Sequence, residues 1–449
     1  MEQQSIRQRA EANDVRLVRF LYCDSGGIIR GKASALDGLD NRLRDGIGLT
    51  VAMMAMNSLD QLQPLAGMGA VGEIRLVPDQ DTFAVLPYAP HSAAMSVDMI
   101  TADRTPWAGC PRSFLKRMRD RAARNGWHMQ AALEAEFSLA KRDGRGGYTP
   151  FDATLCFSSI AMTEAAPFAL DLVDALTAQG LTVEQYYPEL GHGQHEITIH
   201  HSEVLRAADN HIKLRETIRG VAHQHGLIGS LAPKPFPNQA GNGAHVHFSL
   251  WDEAGQNLFY DRAAPDGLSL IGRQFMAGVL HHLPGLVALT CPSVNSYQRL
   301  RPQTWSSAYA IWGYDNREAA VRVASPFWSD IAGSTNLELK AADSSCNPYI
   351  ALGGLLAAGL DGIEHARDPD PATMTDPATM SDAERGAAGI CRLPATLDEA
   401  LDCLAADPVL LAALGDMLGQ SYIQVRRSEA RAYATIDDDA QFRAHVYKY

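Results

Sequence analysis

Carboxylates and imidazoles in this chain recur two residues apart inside short apolar stretches. In Leu133-Glu134-Ala135-Glu136-Phe137-Ser138-Leu139, strand alternation sends Leu133, Ala135, Phe137 and Leu139 to one side and brings Glu134 and Glu136 together on the other. The same parity in Ala244-His245-Val246-His247-Phe248-Ser249-Leu250 buries Val246, Phe248 and Leu250 and presents His245, His247 and Ser249. In His195-Glu196-Ile197-Thr198-Ile199, Glu196 and Thr198 oppose the isoleucines. In Leu337-Glu338-Leu339-Lys340, Glu338 and Lys340 oppose the leucines. Any one such face is what a half-solvated antiparallel sheet displays. A merely wet face has no need of bunched like charges, which repel by roughly a few tenths of a kcal/mol or more. A cation relieves that repulsion. Oxygen donors with one or two imidazoles suit Mg²⁺ or Mn²⁺, whereas zinc favours thiolates and more histidine.

Arginines form a second group. Asn295-Ser296-Tyr297-Gln298-Arg299 is followed by Asn316-Arg317-Glu318-Ala319-Ala320-Val321-Arg322. Guanidinium forks bind carboxylate and phosphate bidentately. Alone they read as surface residues; beside a metal-carboxylate site they point to phosphoryl transfer, which needs positioning and charge neutralisation.

The elements that carry these residues fall into two groups. Val15 to Leu21 reads as a strand, Ser25-Gly26-Gly27 as a turn, and Ile28-Ile29 as a second short strand, with further strand-like pieces at Gly72 to Val77 and Ala94 to Val97. This predicts a small sheet-rich domain over residues 1–104. Thr105 to Pro111 reads as a linker, and Arg112 to Asn125 has helical spacing with Phe114, Met118 and Ala122 on one side. Strands and helices mix over residues 105–449, with helical patterns at Pro167 to Gln179, Ser202 to Gly226 and Leu268 to Leu283. Asp370-Pro371-Ala372-Thr373-Met374 recurs as Asp376 to Met380, a loop and not a repeat architecture.

Composition narrows the partners. The 449 residues are 46% apolar with a net charge of -13, so no basic field exists to hold nucleic acid or an anionic membrane. Seven scattered cysteines without a Cys-x-x-Cys pair fit a reduced, cytoplasmic setting. The polar N-terminus and the absence of a long apolar run predict neither an export signal nor a membrane anchor. Small molecules and other subunits are the expected partners.

From about Val15 to Ile363 the sequence resembles the glutamine synthetase superfamily. The resemblance rests on Glu134-Ala135-Glu136-Phe137, Glu189 with Gly193-Gln194-His195-Glu196, Gly241-Asn242-Gly243-Ala244-His245-Val246-His247, Asn295 to Arg299, Asn347-Pro348-Tyr349 and Gly359-Leu360-Asp361-Gly362-Ile363. By matching position, the resemblance implies that Glu136, Glu189 and Glu196 hold one divalent metal near the glutamate, and that Glu134, His245 and Glu338 hold a second near the nucleotide phosphates. It implies nucleotide contacts at His247 and Ser249, neutralisation of the transferred phosphoryl group by Arg317 and Arg322, and glutamate binding by Gly241 and Arg299. The implied fold is α+β: a β-grasp-like N-terminal domain and a catalytic domain whose curved antiparallel sheet forms a half-barrel ringed by helices. ATP as co-substrate, two or more Mg²⁺ or Mn²⁺ ions, and a homo-oligomer of two stacked hexameric rings follow from the same resemblance. In the implied reaction ATP phosphorylates the glutamate γ-carboxylate and an amine attacks the acyl phosphate.

Several positions depart from the family pattern. Trp305 stands where the flap glutamate that helps deprotonate ammonium is expected, and an indole cannot accept a proton, although its face attracts cations and alkyl groups. The loop that offers an aspartate and serines to a neighbouring ammonium site is here Thr50-Val51-Ala52-Met53-Met54-Ala55-Met56-Asn57, apolar and methionine-rich. Both halves of the ammonium site therefore read as suited to an organic group. Lys340 replaces a substrate-binding arginine, Gly333-Ser334-Thr335 replaces basic residues, and Cys391 falls where some bacterial members carry an adenylylated tyrosine. The resulting expectation is a γ-glutamyl-amine ligase, with glutamine synthetase proper as the alternative. A non-catalytic relative should have lost metal ligands, and a guanidino-phosphotransferase would not need such an N-terminal domain.

Overall fold

The computed structural model describes residues 5–144 and 146–449. The N-terminal sheet runs in the order Ile29–Ala35, Leu17–Cys23, Ser92–Ile100, Glu73–Pro78, Ile47–Thr50, with Ala84–Val85 beside Ser92–Ile100. Leu17–Cys23 lies parallel to Ser92–Ile100, and the other pairs are antiparallel. Alternation drives it: Val18, Phe20, Ile74, Leu76, Met95 and Val97 enter one core.

Thr50 to Asn57 corrects an expectation. Val51–Ala55 is a 3₁₀ turn whose Val51, Met54 and Ala55 join this same core. Its apolar character is largely the requirement of a small domain's interior. Only Ala52, Met53 and Met56 are half-exposed, so the loop is weaker support for an organic amine than its composition implied.

The second sheet runs Tyr309–Tyr314, Ala319–Val323, Leu337–Leu339, Ala244–Trp251, His128–Arg142, Gln194–Ile199, Val183–Pro188. The outer faces of its strands meet helices. Ala135, Phe137 and Leu139 pack with Leu172 and Leu176 of Ser159–Ala178 and with Leu214 and Ile218 of Val204–Gln224. Val246, Phe248, Leu337 and Leu339 pack with Phe275 and Leu286 of Leu270–Thr290 and Leu355 of Pro348–Glu364. The opposite face carries the polar residues. One pair departs from the antiparallel expectation: Tyr309–Tyr314 and Ala319–Val323 are parallel, through a four-residue return that includes Arg317 and Glu318.

Glycines let the two central helices touch. A Cβ on Gly362 would run into the backbone of Gln274 and Gly278, and one on Gly359 into the Phe275 ring. The Gly359 to Ile363 motif is therefore packing, not chemistry. The helix expected from Pro167 begins at Ser159 with Ser158 as its N-cap, and Pro167 lies inside it. Arg112 ties the two halves together: it is buried, donates to Asp98, Asp79 and Asp209, and Tyr349 donates to the same Asp209.

Candidate active site

Strand register builds the site one cross-strand pair at a time. Glu196 lies opposite Glu136, His245 opposite Glu134, His247 opposite Glu338, and Arg322 also opposite Glu338. Since directly paired residues project to the same face, four separate parities become one continuous surface across five strands. The face is not wet. Glu196 is 3% exposed and Glu338 1%, so the charges sit where screening is weak.

His245 bridges the carboxylates, with Nδ1 3.7 Å from Glu134 and 3.3 Å from Glu338 and Nε2 3.6 Å from Glu136. His247 Nε2 lies 3.2 Å from Glu134 and 3.8 Å from Glu338, and its Nδ1 meets Asn336 at 2.8 Å. Glu134, His247 and Glu338 converge within 4.8 Å of one another. His247, which was expected to serve the nucleotide, thus joins the carboxylate cluster alongside His245. Glu338 also pairs with Arg322 and, at 3.6 Å, with Lys340, which is itself buried.

On the other side, Glu136 Oε2 accepts from Gln194 Nε2 and from the Gly243 amide, each at 2.9 Å. Tyr187, the cross-strand neighbour of Glu196, donates to Glu196. Glu189 follows the strand end at Pro188, and its Oε2 accepts from the Leu190 amide. Gly241 and Gly243 are required by close approach: a Cβ on Gly241 would lie 2.5 Å from the Pro233 oxygen, and one on Gly243 2.5 Å from Arg299 Nη2. Arg299 is buried, donating to the Ala342 carbonyl and meeting His245 Nε2 at 3.2 Å.

Ser249 lies one strand step beyond His247 and accepts from Trp251 Nε1 at 2.8 Å. Trp251 stacks on His201, and the two help line a cavity of about 570 Å³ at that end of the strands. On the other side Arg317 is exposed, with its charge felt at Glu189; Trp305, whose amide is bound by the neighbouring Glu318, is 58% exposed. Trp305 is therefore not a core residue.

Electrostatics divide the carboxylates. Burial pushes Glu196 well above the usual range, and Glu134 and Glu136 add to the shift. Burial and then Glu136 raise Glu189 to about 7. Burial acts the same way on Glu134 and Glu338, but the histidines hold Glu134 well below the usual range, and Lys340 with the histidines holds Glu338 at about 2. Burial lowers His247, yet Glu134 outweighs it and raises the imidazole to about 9. Five convergent carboxylates with two imidazoles are a hard-donor set, and positive charge relieves the mutual repulsion of the buried carboxylates. His247 Nε2 is buried without a hydrogen bond among the described residues. These features fit divalent cations.

Local sequence did not identify Gln194, Tyr187, Asn336 or Glu318 as supports of the site. Gln194 and Tyr187 had one usable signal, their closeness in sequence to Glu196 and Glu189.

Residues 108–445 match the glutamine synthetase catalytic domain, and residues 1–111 the glutamine synthetase N-terminal domain. The chain is 37% identical over 436 residues to the gamma-glutamylpolyamine synthetase GlnA3 of Streptomyces coelicolor, covering 96% of this chain and 93% of that one. It is 37% identical over 368 residues to the glutamine synthetase of Halobacterium salinarum, covering 80% of each. A crystal structure described as a novel glutamine synthase homolog matches with a TM-score of 0.87 and 34% identity over the whole of both chains. A GmaS/ADP complex matches with a TM-score of 0.86 and 28% identity over 98% of this chain and 99% of that one. The chain belongs to the glutamine synthetase family and is a ligase that forms carbon–nitrogen bonds. Enzymes of this family use ATP and divalent metals. No helix among the described residues is long and apolar enough to cross a membrane.

Proposed function

We propose that this enzyme joins the γ-carboxylate of L-glutamate to an organic amine, with ATP converted to ADP and phosphate. The observation that carries the choice of amine is Trp305, an exposed indole where a proton-accepting flap residue is expected, with its amide bound by Glu318, the chain neighbour of Arg317. The similarity to a gamma-glutamylpolyamine synthetase and to GmaS supports the same choice. Glutamine synthetase proper is the second reading, favoured by the equal identity to the halobacterial enzyme.

In the proposed site, Glu136, Glu189 and Glu196 would hold one cation, and Glu134, His245 and Glu338 would hold another with His247 beside them. Divalent cations bound there would neutralise phosphate charge and polarise the reacting oxygens. Gly241 leaves room for glutamate, while Arg299 and Lys340 supply positive charge for its carboxylates. His247 and Ser249 face the nucleotide, whose base would occupy the aromatic cavity at Trp251. Arg317 and Arg322 offset the charge on the transferred phosphoryl group. The γ-carboxylate oxygen attacks the terminal phosphorus of ATP, and ADP leaves. The amine nitrogen then forms a bond to the acyl carbon, the carbon–oxygen bond to phosphate breaks with its electron pair, and the nitrogen loses a proton.

The proposed assembly is a cytoplasmic homo-oligomer of two stacked hexameric rings, with the chain divided at residues 104 and 105. The activity is tested by glutamate-dependent release of ADP and phosphate with alkylamines, ethanolamine, polyamines, aromatic amines and ammonia as acceptors. An organic amine is expected to be the best acceptor. Turnover stimulated by none of them would overturn the ligation reading.

A further inference from the structure

Trp305 lies in a backbone segment that is held from outside. Gln303, Trp305 and Ser307 all occupy the left-handed region, at φ of 60°, 55° and 66°, and none is glycine. L-residues rarely take that conformation unless surrounding bonds impose it. Here the bonds are visible. Thr304 Oγ1 donates to the Arg301 carbonyl with the Arg299 carbonyl also within reach at 3.0 Å, Ser306 Oγ accepts from the Arg301 amide, and Ser307 Oγ donates to the Arg317 carbonyl.

The bond to Trp305 itself comes from Glu318, whose Oε1 accepts the Trp305 amide at 2.8 Å. Glu318 is almost wholly buried, and its Oε2 has no hydrogen bond among the described residues. The charges that face it are Asp376 and Lys340, and Lys340 in turn pairs with Glu338 of the carboxylate cluster. The return loop of the unusual parallel strand pair places Glu318 one residue from Arg317. The one hydrogen bond of this buried carboxylate goes to the Trp305 amide, so the bond fixes the position of that backbone while Lys340 offsets part of the cost of burial.

We infer that Glu318 is a positioning residue that pins the Trp305 segment over the amine end of the site, and so sets affinity for the organic acceptor. This rests on the amine-ligase reading above. Amine binding needs the indole already in place; without the pin, the three strained residues relax and the indole must be ordered at the moment of binding. In the proposed site, glutamate and ATP meet the side chains of Arg299, Lys340 and Arg317 and not the indole, so their binding changes less than that of the amine.

The test uses the full-length enzyme and the variants Glu318→Ala and Glu318→Gln. The glutamine keeps a carbonyl oxygen that accepts the Trp305 amide and removes the charge. Glu318→Ala is expected to raise KM for the best amine at least tenfold while KM for glutamate and for ATP changes less than twofold. Glu318→Gln is expected to stay within about threefold of the parent in all three. Chymotryptic cleavage after Trp305, followed by mass spectrometry without substrates, should be at least fivefold faster in the alanine variant and unchanged in the glutamine variant. Cleavage and amine KM both unaltered in Glu318→Ala would overturn the inference. So would a glutamine variant as impaired as the alanine one, because charge or proton transfer would then be what matters. If the parent enzyme ligates no amine, the ligation reading fails by itself, and the cleavage comparison still decides whether Glu318 pins the segment.

Discussion

Glu189→Gln should make the metal-free enzyme more stable and the metal-bound enzyme less so. Burial, and after it the Glu136 charge, raise the Glu189 carboxyl from an ordinary 4.5 to about 7. A folded-state pKa above the unfolded one means that the native protein holds this proton more tightly. Below about pH 4.5 both states are protonated and the effect vanishes. Between 4.5 and 7 the unfolded chain ionises first and stability falls; above 7 the loss is complete. The gap corresponds to about 3 kcal/mol at 1.36 kcal/mol per unit, reduced to about 2 because the side chain stays partly in contact with water. Glutamine does not ionise. In chelator at pH 7.5 the variant should therefore be more stable by about 2 kcal/mol, about 2 °C in the unfolding midpoint of a chain this long. At pH 5 the difference should fall below about 1 kcal/mol. Saturating Mn²⁺ or Mg²⁺ should reverse the order, because a ligand at a hundred times its Kd adds about 2.7 kcal/mol and the variant loses most of that gain. Circular dichroism melts at the two pH values, with chelator and with cation, make the comparison. A variant less stable than the parent in chelator at pH 7.5, or one with an undiminished metal shift, would refute the charge argument.

Trp305→Glu should restore a proton acceptor at the flap position and lower the amine-to-ammonia ratio of kcat/KM by at least about tenfold, a difference of about 1.4 kcal/mol in barrier, measured by product quantification. Arg112→Ala leaves Asp79, Asp98 and Asp209 without their shared buried partner and should cost about 3–5 kcal/mol in denaturant unfolding; a loss under about 1 kcal/mol would show that the network is not structural. His282, wedged between Asp361 and Asp407, has an imidazole that burial would lower but the two aspartates raise. Its contribution should be full below about pH 6.5 and lost as pH rises through the elevated folded value. The stability difference between the parent and His282→Asn should accordingly shrink from pH 6 to pH 9, and a difference that grows would reject the charged-imidazole reading.

Period-two alternation made the strand faces legible, because parity is a local property of the sequence. Spacing alone puts Glu134 and Glu136 on one face, and likewise His245 and His247. Register was not legible: that Glu196 sits opposite Glu136, or that both His247 and Arg322 sit opposite Glu338, depends on pairings between residues far apart in the chain. Glu318 was hidden because its bond to the Trp305 amide depends on how the segment between them folds back, which no local period encodes. Thr50 to Asn57 misled for a different reason, since methionine suits a binding surface and a small core equally well, and composition does not distinguish them. Pro167 misled because proline is common at a helix start, whereas here Ser158 caps the helix more than two turns earlier.

In the proposed reaction the activated glutamate is captured by an organic amine in preference to ammonia. The most direct measurement is a competition in which the purified enzyme, glutamate, ATP and Mg²⁺ meet equimolar ¹⁵N-ammonium and the best amine of the panel in one vessel, with both products quantified by mass spectrometry at low conversion. The γ-glutamylamide is expected to exceed ¹⁵N-glutamine by at least tenfold. Glutamine as the main product would contradict the account and return the enzyme to glutamine synthetase proper.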